Sequence, residues 1–274
     1  SAASDVYKRQ IMAHAVPDIA FLHELADAAD KQTLPRFRSQ LNLHVDTKPK
    51  EGYRFDPVTD ADREAERAIR AIIDTRYPDH SIMGEEFGIT GSGPLQWVLD
   101  PVDGTRPFLC GIPVWGTLIG LTVEGRGHLG MMSQPFTGER FWADGRQSWR
   151  SGPQGTAPLN TRKGLSLEGA ILHITSPEPI ARFPEINFAA LDDAALMTRY
   201  GGECYAMAML AAGQIDLCLE YSLQPYDIVA LIPIIEQAGG IVTTLNGDRP
   251  EAGGHILAAG CPEVHAQALQ RLHS

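Results

Sequence analysis

Two aspartates three residues apart stand in the stretch Trp97-Val98-Leu99-Asp100-Pro101-Val102-Asp103-Gly104-Thr105. The apolar run before them, Leu95 to Leu99, reads as a buried strand that ends at Asp100. Pro101 fixes one backbone angle, and Gly104 permits a sharp turn. Two acids on a stiff turn at the mouth of a strand make a poor core and good ligands for a hard cation. Oxygen-only donors favour magnesium, which keeps positions open for water and phosphate. Thr105 adds a hydroxyl at the same turn. A lone Asp-Pro or Asp-Gly pair usually marks an ordinary surface turn, so the companions of this motif decide between the two readings.

Those companions are Gly84-Glu85-Glu86-Phe87-Gly88 and Val58-Thr59-Asp60-Ala61-Asp62 upstream, and Pro225-Tyr226-Asp227 far downstream. The four motifs, in this order, resemble the inositol monophosphatase superfamily of magnesium-dependent, lithium-sensitive phosphatases. The resemblance runs from about Leu25 to the C-terminus. It implies metal ligands at Glu85, Asp100, Asp103, Asp227 and the Val102 backbone carbonyl, holding two or three magnesium ions. Asp100 would bridge two of them, and Glu85 would help to activate the attacking water. Asp62, hydrogen-bonded to Thr105, would orient that water. Asp103, Gly104 and Thr105 would meet the phosphate, with Gly202 and Glu220 contacting the rest of the substrate. Converging carboxylates repel, so the site is expected to be looser without magnesium.

Plainer readings stand beside these. Glu85-Glu86 alone would be a solvated loop pair, and Gly201-Gly202 alone a turn. Thr59 and Asp62 also suit a helix capping box. One side chain is not expected to fill both roles fully, and catalysis is preferred for Asp62, leaving Asp60 to favour the helix dipole. There is no Gly-x-Ser-x-Gly elbow, His-Glu-x-x-His pair or Walker loop to support another hydrolase chemistry.

The elements that must position these residues follow from periodicity. Asp18 to Ala29 reads as an amphipathic helix. Thr59 to Tyr77 is the clearest helix, with Ala65, Ile69, Ile72 and Ile73 on its buried face and Pro78 as its stop. Val45 to Pro57 reads as a loop and a candidate lid, in which Lys48 aligns with a loop lysine of the family near the third metal. Antiparallel strands are expected over Trp115 to Val123, His128 to Ser133 and Arg140 to Ala143. Ser148 to Asn160 reads as a loop and a soft boundary. Beyond it come strand Ala170 to Thr175, helix Cys204 to Ala212, strand Ile215 to Glu220 and helix Asp227 to Ala238. Strands Ile241 to Thr244 and His255 to Ala259 and helix Pro262 to Leu272 complete the chain. Pro233 must fall in a first turn or kink its helix. The resemblance implies that these elements stack as a layered α+β / α/β sandwich of alternating helices and sheets. Residues 12–150 would form an N-terminal α+β half with most ligands, and 151–274 a C-terminal α/β half of the same domain.

The 274 residues suffice for a full core, and 43% hydrophobic with 21% charged residues is ordinary for a globular chain. A net charge of −11 speaks against a nucleic-acid partner. No apolar run reaches membrane-spanning length. Four scattered cysteines without a Cys-x-x-Cys pair suggest reduced thiols in a cytoplasm rather than a zinc site. Ser1 to Ile11 look unlike the rest and read as an assembly scar, with the natural start at or near Met12. A homodimer is implied by the resemblance only.

Within the family, three segments look like the histidinol-phosphatase branch: Phe108 to Thr117, Gln134 to Arg140 and Tyr200 to Ala206. Tyr226 also replaces the usual Trp. Inositol-type enzymes tend to carry a small neutral residue where this chain has Glu203. An acid there can pair with the ammonium of histidinol phosphate, and Glu220 could supply a second acid. As a plainer alternative, Glu203 favours a helix dipole. The expected activity is hydrolysis of L-histidinol phosphate. Inositol phosphate or another small sugar phosphate is the rival substrate, and a non-catalytic regulator is the rival class. Such a regulator need not keep all five acids Asp62, Glu85, Asp100, Asp103 and Asp227.

Overall fold

The computed structural model describes residues 16–39, 44–47 and 57–274. Helix α1 (Ile19–Thr33) begins where Asp18 accepts the Phe21 amide, and it buries Leu22, Leu25, Ala26 and Ala29. Strands β1 (Val45–Thr47) and β2 (Pro57–Thr59) pair antiparallel, so the expected Val45 to Pro57 loop is strand at both ends. Lys48 lies outside the described residues, as do Ser1 to Ile11 and Met12. Helix α2 (Asp60–Arg76) follows at once, closed by the Thr59/Asp62 capping box. It has two buried stripes at four-residue spacing. One is apolar, with Ala61, Ala65, Ile69 and Ile73. The other, one position on, is polar, with Asp62, Glu66 and Arg70.

The first large sheet is built from β3 (Ser81–Gly84), β4 (Gly88–Thr90), β5 (Leu95–Asp103), β6 (Gly116–Val123), β7 (Arg126–Gln134), β8 (Glu139–Ala143), β9 (Ser148–Gly152) and β10 (Gly155–Pro158). Their order is β10-β9-β8-β7-β6-β5-β3-β4, antiparallel except for the pair β3–β5. The short helix α3 (Thr105–Cys110) leaves β5 at Gly104. Two expectations are corrected here. Ser148 to Asn160 is mostly a hairpin, β9–β10, rather than a loop. The strand expected to end at Asp100 continues to Asp103, with a register break between those two residues. Pro101 has no N–H to give the ladder, and its carbonyl is taken by the Thr117 hydroxyl at 2.8 Å. The chain therefore bulges instead of stopping.

The second half contributes β11 (Ile171–Ile174), α4 (Phe188–Ala194), β12 (Met197–Tyr200), α5 (Glu203–Ala211), β13 (Leu217–Leu223), α6 (Pro225–Ile228), α7 (Leu231–Gln237), β14 (Ile241–Thr244), β15 (Gly254–Ala259) and α8 (Pro262–Leu272). Its sheet runs β12-β11-β13-β15-β14, with β11 parallel to both neighbours. The short elements α4 and β12 carried too little periodicity to be read in advance. The single helix expected over Asp227 to Ala238 is two, α6 and α7. Pro233 is the third residue of α7, where an N–H would have no partner within the helix.

Strand β6 shows how the layers form. It is buried along its whole length, so alternate residues face different helices. Ile119 and Leu121 pack with the apolar faces of α1 and α2. Leu118 packs instead with α5 and α7, which also cover Cys218, Val242 and Ile256 of the second sheet. Helices α4 and α8 close that sheet's other face around Leu172, Leu219 and Leu257. The result is the expected layered sandwich, helix on sheet on helix on sheet on helix. Among the described residues, no helix is long and apolar enough to cross a membrane.

The middle layer fits tightly. A Cβ on Gly130 of β7 would lie 1.9 Å from the Ala230 carbonyl oxygen and 2.9 Å from Pro233 Cγ. Gly130→Ala is therefore expected to destabilise the protein by about 1–3 kcal/mol through overpacking. Thermal melting checks this, and an unchanged Tm would mean that α7 does not press on β7 in this way.

Candidate active site

Residues three apart in a regular strand point to opposite faces. The β5 bulge breaks that alternation, and Asp100, Asp103 and Asp227 converge with one oxygen from each within 4.8 Å of the others. Each acid is anchored by a backbone amide. Asp100 accepts the Val102 amide at 3.0 Å, Asp103 the Cys204 amide at 2.9 Å and Asp227 the Gln224 amide at 2.7 Å. Glu85 follows β3 and lines the same cavity, where its charge bears on that of Asp100. Its own amide donates to the Leu99 carbonyl at 3.1 Å. The donors are all oxygens and include no His or Cys, which fits a hard divalent cation.

Asp62 is buried and is not among the residues lining the cavity. Its two oxygens divide two tasks. Oδ2 accepts the Thr59 amide at 2.9 Å and the Thr59 hydroxyl at 2.5 Å, closing the cap. Oδ1 lies 3.2 Å from the Thr105 hydroxyl, which is also 3.1 Å from the Val102 carbonyl oxygen. The expectation that one carboxylate could not meet both partners is corrected, because its oxygens face opposite ways.

The cavity, of about 340 Å³, has a second wall that includes Thr175, Ser176, Glu203, Glu220, Tyr221 and Ser222. Glu220 accepts the Thr175 amide at 3.0 Å and its hydroxyl at 2.7 Å. Glu203 opens α5 with φ +46°, and Ser222 has φ +56°, left-handed conformations that cost a non-glycine residue about 1–3 kcal/mol. Gly104, at φ +87°, lets the two walls approach: a Cβ there would sit 3.1 Å from Glu203 Cγ and 3.2 Å from Trp115 Cα. Gly202 does not line the cavity. It caps α5 over the buried His173 ring, where a Cβ would lie 2.5 Å from Nε2. Arg106, Thr175, Ser176, Tyr221 and Ser222 belong to no motif read in the sequence. The available signal was adjacency, Arg106 to Thr105 and Tyr221 to Glu220.

Burial governs the charges here. It pushes the Asp100 carboxyl well above the usual range, and Glu85, Asp103 and Asp227 add repulsion. Burial raises Asp62 to about 6 despite the Thr59 hydrogen bonds. Glu203 rises to about 8 through burial and then Asp103, and burial raises Glu220 as well. In each case the metal-free fold holds a proton that the unfolded chain releases, so each acid subtracts stability as pH climbs above its unfolded value.

Two outcomes are expected in thermal melts. In metal-free buffer Asp100→Asn melts above the wild type, and the gap widens as pH rises from about 4 toward neutrality. Magnesium raises the wild-type Tm by binding only the fold and raises that of Asp100→Asn much less. A pH-independent gap would show that Asp100 is not held against repulsion.

Residues 15–274 match the model of the inositol monophosphatase family. The chain is 38% identical over 261 residues to the bifunctional phosphatase IMPL2, chloroplastic, of Arabidopsis thaliana, covering 90% of this chain and 72% of that one. It is 35% identical to the histidinol-phosphatase of Streptomyces coelicolor over 93% of this chain and 97% of that one. The solved structure of an inositol monophosphatase from Zymomonas mobilis matches with a TM-score of 0.80 at 34% identity, over 93% and 97% of the two chains. With the acids of both halves gathered on one cavity and the match unbroken along nearly its whole length, the chain belongs to the inositol monophosphatase family and is a phosphomonoesterase.

Proposed function

We propose that the protein is a magnesium-dependent phosphatase of L-histidinol phosphate. The observation that carries this reading is the pair of acids, Glu203 and Glu220, on the wall opposite the aspartate cluster. Both are pushed toward protonation by burial, and Glu203 adds to the rise at Glu220. A neutral polyol can donate hydroxyls to two such acids but brings no charge to offset theirs. The ammonium of histidinol phosphate does, through charge-assisted hydrogen bonds. The likeness to the Streptomyces coelicolor histidinol-phosphatase supports the same substrate.

Glu85, Asp100, Val102, Asp103 and Asp227 would hold magnesium, as two or three ions. Magnesium bound there supplies Lewis-acid polarisation of the phosphoryl group and lowers the pKa of a water. The protein's own part is orientation. Thr105 has one hydroxyl proton and two acceptors in reach. Were the Val102 carbonyl taken up as a ligand, that proton would go to Asp62 Oδ1. The Thr105 lone pairs are then left to accept from the attacking water and set its direction. The Gly104 and Thr105 amides receive the phosphate, and Glu203 and Glu220 hold the organic end. Lithium inhibits by the same family logic, and the enzyme works as a cytoplasmic homodimer. The net charge of −11 disfavours nucleic acid as a partner.

The direct test is phosphate release from L-histidinol phosphate, myo-inositol 1-phosphate and an aryl phosphate, with and without magnesium. A magnesium-dependent preference for histidinol phosphate is expected. Preference for the inositol ester would discard the substrate assignment, and no turnover of any ester would favour a regulatory role. Glu203→Gln keeps the shape and removes the charge. It is expected to raise KM for histidinol phosphate about 10- to 150-fold, as for a charged hydrogen bond of about 1.5–3 kcal/mol, and to spare the aryl ester. Equal effects on both esters would remove Glu203 from recognition.

A further inference from the structure

The polar stripe of α2 continues beyond Asp62. Glu66 has 0% exposure, and its carboxylate collects three donors. Oε2 accepts the Glu86 amide at 2.8 Å, while Oε1 accepts the Phe87 amide at 3.2 Å and Arg70 Nε at 2.7 Å. Arg70 then reaches the β4 arm of the β3–β4 hairpin. Its guanidinium donates to the Gly88 carbonyl at 2.5 Å and to the Thr90 hydroxyl at 2.9 Å. Gly84 leaves room for this pair: a Cβ there would lie 2.0 Å from Glu66 Oε1 and 2.8 Å from Arg70 Nη2. One buried ion pair thus grips the hairpin at its turn and along its β4 arm, and Glu85 stands next to the grip.

A buried ion pair is an inefficient way to stabilise a helix against a sheet, because both charges lose their hydration. An apolar pair would pack there as well. It could not accept two consecutive amides at a tight turn. We infer that Glu66, braced by Arg70, is the positioning residue for Glu85, fixing the turn in the geometry the cation site needs before a cation binds. Glu66 is not among the residues lining the cavity, and it acts through the backbone of Glu86 and Phe87. The inference rests on Glu85 being a cation ligand, as proposed above, and is independent of which phosphate ester is cleaved.

The experiment compares full-length wild type, Glu66→Gln and Glu85→Gln without substrate and well below their melting temperatures. Magnesium affinity is read by calorimetry, and manganese affinity by electron paramagnetic resonance. A glutamine at 66 sets an NH2 donor against donors that the carboxylate accepts. Glu66→Gln is expected to weaken cation binding about 10- to 100-fold, as loss of a group orienting a ligand does. Unchanged affinity in Glu66→Gln, with Glu85→Gln weakened, would overturn the inference and leave Glu85 as a ligand. No effect in Glu85→Gln would overturn both. Should Glu66→Gln fail to fold, hydrogen exchange on the metal-free wild type decides. Protected Glu86 and Phe87 amides support a pre-set turn, and exchange at open-loop rates until magnesium is added overturns it.

Discussion

The structure depends on holding like charges together out of water. Asp100, Asp103 and Asp227 crowd one end of a cavity, and Glu85 joins Asp100 there. Carboxylates in that arrangement repel, and burial deepens the penalty. The fold meets part of this with backbone amides. The three clustered aspartates each accept an amide, from Val102, Cys204 and Gln224, and those amides come from the β5 bulge and the starts of α5 and α6. Amides satisfy the acids without neutralising them, so a cation remains the favourable partner.

Helix α2 joins this site to the core. Its apolar stripe seals it against the first sheet, while its polar stripe reaches toward segments at the cavity. Asp62 meets Thr105, and Glu66 and Arg70 hold the hairpin that carries Glu85. Two loops from different parts of the chain are therefore referenced to one rigid body, which is how side chains stay within a fraction of an ångström of a working geometry. The cost is a set of buried polar groups that a purely structural helix would not carry.

The opposite wall carries backbone strain. Glu203 and Ser222 both line the cavity in left-handed conformations unusual for their types. Gly104 faces Glu203 across a gap too narrow for a side chain. Glu203 is thus held on the cavity wall by a strained backbone and a close approach, and Glu220 by its bonds to Thr175. Substrate choice in a shared fold rests on such local departures.

Much of this was legible in the residues alone. The order of the acidic motifs, the α2 capping box and the apolar periods of α1, α2, β6 and α8 are local patterns, and a chain segment carries them wherever it goes. The family and the layered architecture followed from those patterns. Other features needed the whole molecule. The β5 bulge depends on Thr117 of the next strand taking the Pro101 carbonyl. The break between α6 and α7 lies where Ala230 presses against Gly130. Asp62 could divide its oxygens only once Thr105, 43 residues later, was folded beside it. Glu66 belongs to none of the motifs read in the sequence. Sequence determines which groups are present and how they repeat over a few residues. Burial and partnership arise from contacts distant in the chain, and they decide which of those groups bear charge and which can reach a ligand.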